Sequence, residues 1–121
     1  MDNKHRILIV DDDKMIRKCM TEYLLYMGFE VSSVDNAEDG LTMFEDGHFD
    51  FVVIDYRLPR MSGLEMVKQI KKMNWNAMII MVSGDSSVKS LTMNWTDHFL
   101  EKPFRFEAMY KLMTHGYESV A

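Results

Sequence analysis

The chain has 121 residues, 47% of them apolar, with a formal net charge of −5 at pH 7. That length suits one domain with a buried core, and this apolar content with both charge signs interspersed excludes a disordered chain. The acidic balance argues against a nucleic-acid surface, which needs a positive excess, and no apolar run approaches membrane-spanning length.

The first apolar run, "RILIV" (6–10), reads as a strand buried on both faces, and "MDNKHRILIV" is too short in apolar residues for a signal peptide. Residues 14–27 place Met15, Ile16, Cys19, Met20, Tyr23, Leu24 and Met27 at helical spacing, closed by Gly28. Cys19 is the one cysteine, so no internal disulfide forms; it reads as a small apolar helix residue in a reducing cytoplasm. "EVSSV" (30–34) alternates as an edge strand does, and residues 37–46 carry Ala37, Leu41 and Phe44 before Gly47 ends the helix. "FVVI" (51–54) is a second run of the buried type. Residues 63–73 carry Leu64, Met66, Val67, Ile70 and Met73, with Ser62 as cap and Glu65 at the third helical position. "MIIMV" (78–82) is another buried run, "HFL" (98–100) a short last strand, and 86–94 and 105–115 are shorter helical candidates. The thirteen methionines read as core fillers. Strand and helix alternate without linker or repeat, which predicts one α/β domain with a parallel sheet and right-handed crossovers.

Open α/β sheets bind ligands where their strands end. Those ends carry Asp11-Asp12-Asp13, then Asp55, then Ser83-Gly84-Asp85, then Glu101-Lys102-Pro103. Each has an ordinary reading: Asp13 as a helix cap, Ser83-Gly84 as a turn, Lys102 as a solvated charge. Together they describe a pocket of acids, one hydroxyl and one lysine. Carboxylates gathered this closely repel unless a cation sits among them. Oxygen-only donors favour Mg²⁺, with Mn²⁺ as the substitute, and disfavour zinc. A strand-end carboxylate beside Mg²⁺ can attack a phosphoryl group and form an aspartyl phosphate.

The segments "ILIVDDD", "FVVIDYRLPRMSGLEM", "MIIMVSG" and "FLEKPF", in this order and spacing, resemble the receiver domain of two-component response regulators, of the chemotaxis-regulator type. The resemblance covers residues 6–115 of a single domain spanning 1–121. It implies a flavodoxin-like, doubly wound, five-stranded parallel sheet of order 2-1-3-4-5 with five helices. It implies Asp55 as phosphoacceptor, and Asp11, Asp12, Asp55 and the Arg57 main-chain carbonyl as metal ligands. It further implies Ser83 and the Gly84 amide as phosphoryl contacts, Lys102 as the phosphoryl-pairing lysine, Phe99 as the aromatic switch, and a cis bond before Pro103. The implied role is a signalling switch, not an enzyme acting on other substrates. The donor would be a sensor histidine kinase or histidine phosphotransfer protein. The output would be a downstream protein or fused domain reached through the 4-5-5 surface. Neither nucleic acid nor membrane is an expected partner, and the expected state is a monomer or a phosphorylation-dependent dimer in the cytoplasm.

Two rival chemistries fail on named residues. A haloacid-dehalogenase-type phosphatase needs a second aspartate two positions after the nucleophile, where Arg57 stands; an FMN module needs a hydroxyl-rich loop where Asp11-Asp12-Asp13 would repel phosphate. Five positions individualise the sequence: Ser83 for the commoner Thr, Phe99 for the commoner Tyr, Trp95 for a small residue, and the pair Arg57 and Asp85. Trp95 leaves the length of the fourth helix open. Arg57 and Asp85 should face each other across the site entrance, as a bridge or as two independent charges. Ile16 and Cys19 should lie on the site's rim near Pro103-Phe104, where receivers meet the phosphohistidine helix, or else pack on the sheet. Ending just after the fifth helix, the sequence reads equally as a free-standing receiver or as one excised from a longer protein.

Overall fold

The three apolar runs become the three central strands. In this computed structural model, which describes residues 4–73 and 76–118, β1 (Arg6–Val10), β3 (Phe51–Asp55) and β4 (Met78–Ser83) are buried along almost their whole length. β2 (Glu30–Val34) and β5 (His98–Glu101) form the half-buried edges of one all-parallel sheet, ordered β2-β1-β3-β4-β5. Its helices are α1 (Lys14–Tyr26), α2 (Ala37–Gly47), α3 (Gly63–Lys72), α4 (Lys89–Thr92) and α5 (Phe106–Glu118). Order and topology match the predicted doubly wound sheet.

Strand side chains alternate between faces, so each central strand feeds two cores. Ile7, Ile9, Phe51, Val53, Ile80 and Val82 pack with Met20 and Leu24 of α1 and with Met109 and Met113 of α5. Leu8, Val10, Val52, Ile54, Ile79 and Met81 pack instead with Phe44 of α2 and with Met66, Val67 and Ile70 of α3. Each such side chain contributes about 1.5–3 kcal/mol on burial. A slip of one residue would exchange the two cores, so the register is firmly held.

Four details differ from the sequence reading. On α1 only Met20 and Leu24 are fully buried, while Met15 is 67% exposed and Cys19 is exposed too. At about 100° per residue, positions 16, 20, 24 and 27 point at the sheet, and 15 and 19 fall on the flank. Methionine is accordingly a core filler only in part; Met15 and Met93 face solvent. α2 keeps Gly47 as its last residue and hands the left-handed cap to His48, at φ 53°. A Cβ on Gly47 would lie 2.4 Å from the Phe49 ring, so close packing, not the cap, requires glycine there. The fourth helix is one short turn preceded by a 3₁₀ turn, Ser86–Val88, and the chain is turned out of it when Trp95 and Thr96 both donate to the Thr92 carbonyl. Where shorter helices were expected, α5 runs for 13 residues. Trp75 lies outside the described residues.

Candidate acidic site at the carboxyl ends of the strands

β1 and β3 are neighbours, with Val10 opposite Ile54, so their next residues emerge side by side. That register brings Asp11 and Asp55 together, and carboxylate oxygens of Asp11, Asp12 and Asp55 lie within 4.8 Å of one another. Asp11 and Asp55 are buried, whereas Asp12 is exposed at the rim. Asp11 is held by its own loop, one oxygen accepting from the Asp13 N–H at 2.8 Å. Asp13 caps α1, accepting from the N–H groups of Met15 and Ile16, which aims the helix start at the pocket.

Lys102 arrives from the end of β5, anchored by its N–H donating to the Ser83 carbonyl at 2.8 Å, and the bond to Pro103 is cis. Its ammonium lies 2.9 Å from Asp55 and 3.1 Å from Asp11. The reading of Lys102 as a solvated charge is therefore excluded. The other Asp55 oxygen accepts from the Arg57 N–H at 3.2 Å. Burial pushes the Asp55 carboxyl above its usual value; the Lys102 bond opposes this, the Asp11 charge adds to it, and the net displacement is upward. Burial also works to lower the Lys102 ammonium, but its attraction to Asp55 and Asp11 outweighs that and raises it. Three acids facing one ammonium leave excess negative charge among oxygen donors only. Such a donor set fits a hard divalent cation.

The hydroxyl of Ser83, buried at the end of β4, accepts from the Asp85 N–H at 3.0 Å, leaving its own proton available. An added Cβ on Gly84 would meet nothing within 4 Å, so the space above this turn is open. Phe99 is half-buried against the α2–α3 core, and on β5 it pairs with Met81. Arg57 and Asp85 do form a bridge, 3.1 Å long, between side chains 71% and 40% exposed. Asp85 has a second task. It accepts from both the N–H and the hydroxyl of Ser87, and these bonds, ahead of the Arg57 charge, hold its carboxyl below the ordinary value. Ile16 and Cys19 line a groove of about 480 Å³ with Met15, Pro103, Phe104 and Phe106. Ile16 also packs against the α1–α5 core, so it lies on the groove and on the sheet at once; exposed Cys19 lines the groove alone.

Sequence reasoning missed two residues that shape this site. A Cβ on Gly63 would lie 2.3 Å from the Asp55 carbonyl oxygen, so α3 starts in direct contact with the Asp55 backbone. The available signal was a glycine at the first position of a helix, where propensity disfavours it. Arg17 donates to the Asp11 carbonyl at 2.8 Å, fixing the acidic loop from α1; nothing local marks it.

Comparison with known proteins agrees with this geometry. The family described as "Response regulator receiver domain" matches residues 7–114. The chain is 33% identical over 113 residues to a cyclic di-GMP phosphodiesterase of Thermotoga maritima, covering 91% of this chain and 30% of that protein. It is 29% identical to the response regulator MprA of a Mycobacterium species, covering 89% of this chain and 48% of MprA. The chain thus spans less than half the length of either relative. Among solved structures it resembles the response regulator TrrA of T. maritima in complex with Mg²⁺-BeF, at TM-score 0.85 and 33% identity over 92% of this chain and 97% of that one. A receiver domain from Methanospirillum hungatei gives TM-score 0.90 at 28% identity, covering 97% and 96%. With an acidic strand-end pocket, a lysine spanning two of its acids and a family match along most of its length, the chain belongs to the response regulator receiver domain family of two-component systems.

Proposed function

We propose that this domain, a single receiver over residues 1–121, takes a phosphoryl group onto Asp55 from the phosphohistidine of a sensor histidine kinase or histidine phosphotransfer protein. A changed 4-5-5 surface then signals to a downstream protein or a fused output domain. One observation carries the reading: buried Asp55, raised above ordinary carboxylate behaviour, shares Lys102 with Asp11 at the switch point of the sheet. In the transfer, an Asp55 oxygen attacks phosphorus and the phosphorus–nitrogen bond breaks. Its electron pair returns to the imidazole, and an acyl phosphate remains. Asp11, Asp12, Asp55 and the Arg57 carbonyl would hold Mg²⁺, or Mn²⁺ in its place, which neutralises the carboxylates and the charge on the phosphoryl oxygens. The Lys102 ammonium follows the charge from Asp55 onto a phosphoryl oxygen. Ser83 donates its free hydroxyl proton to another, beside the Gly84 amide. Drawing Ser83 inward frees volume that the half-buried Phe99 ring can enter, which alters the surface around β5 and Trp95.

Chemistry of this kind is confined to the protein's own phosphorylation and its slow hydrolysis. We place it in the cytoplasm, where an exposed Cys19 stays reduced and histidine kinases act; among the described residues no helix is long and apolar enough to cross a membrane. The state is a monomer or a dimer formed on phosphorylation. Incubation with acetyl phosphate and Mg²⁺ tests the core of the reading. Intact-mass analysis should find one added phosphoryl group on the wild type and none on Asp55→Asn. Equal labelling of the two proteins would remove Asp55 from the role.

A further inference from the structure

We propose that the groove between α3 and the turn leading into β5 docks an acidic segment of a partner protein, seating one apolar side chain beside Trp95. The groove, of about 460 Å³, is lined by Met61, Glu65, Lys68, Lys71, Lys72 and Trp95 among others. It belongs to the α2–α3 side of the sheet, the layer opposite α1 and α5. A partner held there leaves the Ile16–Phe104 groove accessible.

Charge selects the occupant. The chain as a whole is acidic, at −5, yet this groove gathers three lysines. Among the described residues, no carboxylate pairs with any of the three. Glu65, the acid nearest to hand, is already committed, accepting from the Ser62 N–H at 2.9 Å in the capping box. Lys71 and Lys72 lie in the last turn of α3, where favourable interaction with the helix dipole accounts for them without a ligand. That explanation does not reach Lys68, one turn earlier, or an indole left 37% exposed. Lys68 Nζ stands 5.2 Å from the centre of the Trp95 ring. This holds a positive charge beside an apolar surface, the complement of a carboxylate next to an aliphatic side chain. Tryptophan is a residue type enriched among interface anchors, and the lysines around it supply the charge complementary to an acidic segment.

A short labelled peptide of Asp and Glu around one central Leu is the probe, with its Lys-substituted counterpart as control. In ¹H–¹⁵N NMR spectra the Trp95 indole cross-peak, assigned through Trp95→Phe, should shift with the acidic peptide together with the α3 amides. The double variant Lys68→Gln/Lys72→Gln keeps helix-forming side chains and should weaken binding about tenfold. Rising salt should do the same. Labelling of that variant by acetyl phosphate should stay at the wild-type level, which separates this proposal from the phosphorylation reading. Absence of an indole shift overturns the proposal. So do equal binding of the basic peptide, shifts confined to α1 and α5, self-association in place of peptide binding, or tighter binding of a single-stranded oligonucleotide.

Discussion

The two ends of the sheet use the same residue type for opposite purposes. At the amino end, Asp50 accepts from the Arg6 N–H at 2.9 Å while its own N–H donates to the Arg6 carbonyl. Asp97 repeats the arrangement across the sheet, accepting from the Ile79 N–H at 2.7 Å and donating to the Ile79 carbonyl at 2.9 Å. Each acid there satisfies a backbone group that the ladder leaves over, and Asp50 also lies 3.5 Å from the His5 ring nitrogen. At the carboxyl end, Asp11, Asp12 and Asp55 crowd together with Lys102 among them. Acids spread out one per strand pair hold a sheet together. Acids converging on one point repel one another, and a single ammonium offsets only part of that charge.

The contrast predicts that substitutions at the two ends separate function from stability. Asp12→Ala should abolish labelling by acetyl phosphate, a loss of at least about a thousandfold in rate, with circular dichroism unchanged. Normal labelling would mean that the exposed acid of the cluster holds no metal. Asp97→Ala should do the reverse. It leaves the Ile79 N–H without its charged acceptor, at a cost of about 1.5–3 kcal/mol, read as a lower urea midpoint at unchanged m-value. Labelling of the folded fraction should persist.

Gly63→Ala belongs to both ends of the comparison at once, because its Cβ would press on the Asp55 backbone. Both stability and labelling should fall, the former by about 1–3 kcal/mol as for other overpacked sites. Loss of stability alone would show that α3 can retreat without moving Asp55.

Acidity sharpens the comparison further. The Asp55 carboxyl is raised in the fold, so its contribution to stability is present below the ordinary carboxylate value and is lost as pH rises through the folded value. At neutral pH the ionised group therefore destabilises the metal-free protein. Asp55→Asn should raise the unfolding midpoint at pH 7 by roughly 2–5 °C, measured with chelator present, and the gap should close at low pH. Lys102 keeps Asp11 as partner in that variant. A gap independent of pH would assign the gain to packing. The smallest effect is expected at the Arg57–Asp85 bridge, which joins the loops that follow β3 and β4. Arg57→Ala and Asp85→Ala should each speed phosphoryl decay by roughly two- to fivefold, and the double variant should add nothing. Additive effects would make them two independent charges.

Local pattern reports what a residue's own element needs. The runs 6–10, 51–54 and 78–82 announced buried strands, Ser62 with Glu65 announced the start of α3, and strand-end residues announced the site, because each signal is contained within a few positions. The exposure of Cys19, the single turn of α4, the Asp50 and Asp97 clasps and the contact of Gly63 with Asp55 carry no such mark. They depend on partners brought together only by the crossovers; Arg6 and Asp50 are 44 positions apart. The amino-acid sequence by itself determined the strand–helix alternation and the chemical character of the strand ends, since periodicity and side-chain type are local properties. Only the tertiary structure decided which acids converge, which merely close the ladder, and that Arg57 and Asp85 form a bridge and do not stay two independent charges, because the distance between two charges is set by the register of neighbouring strands.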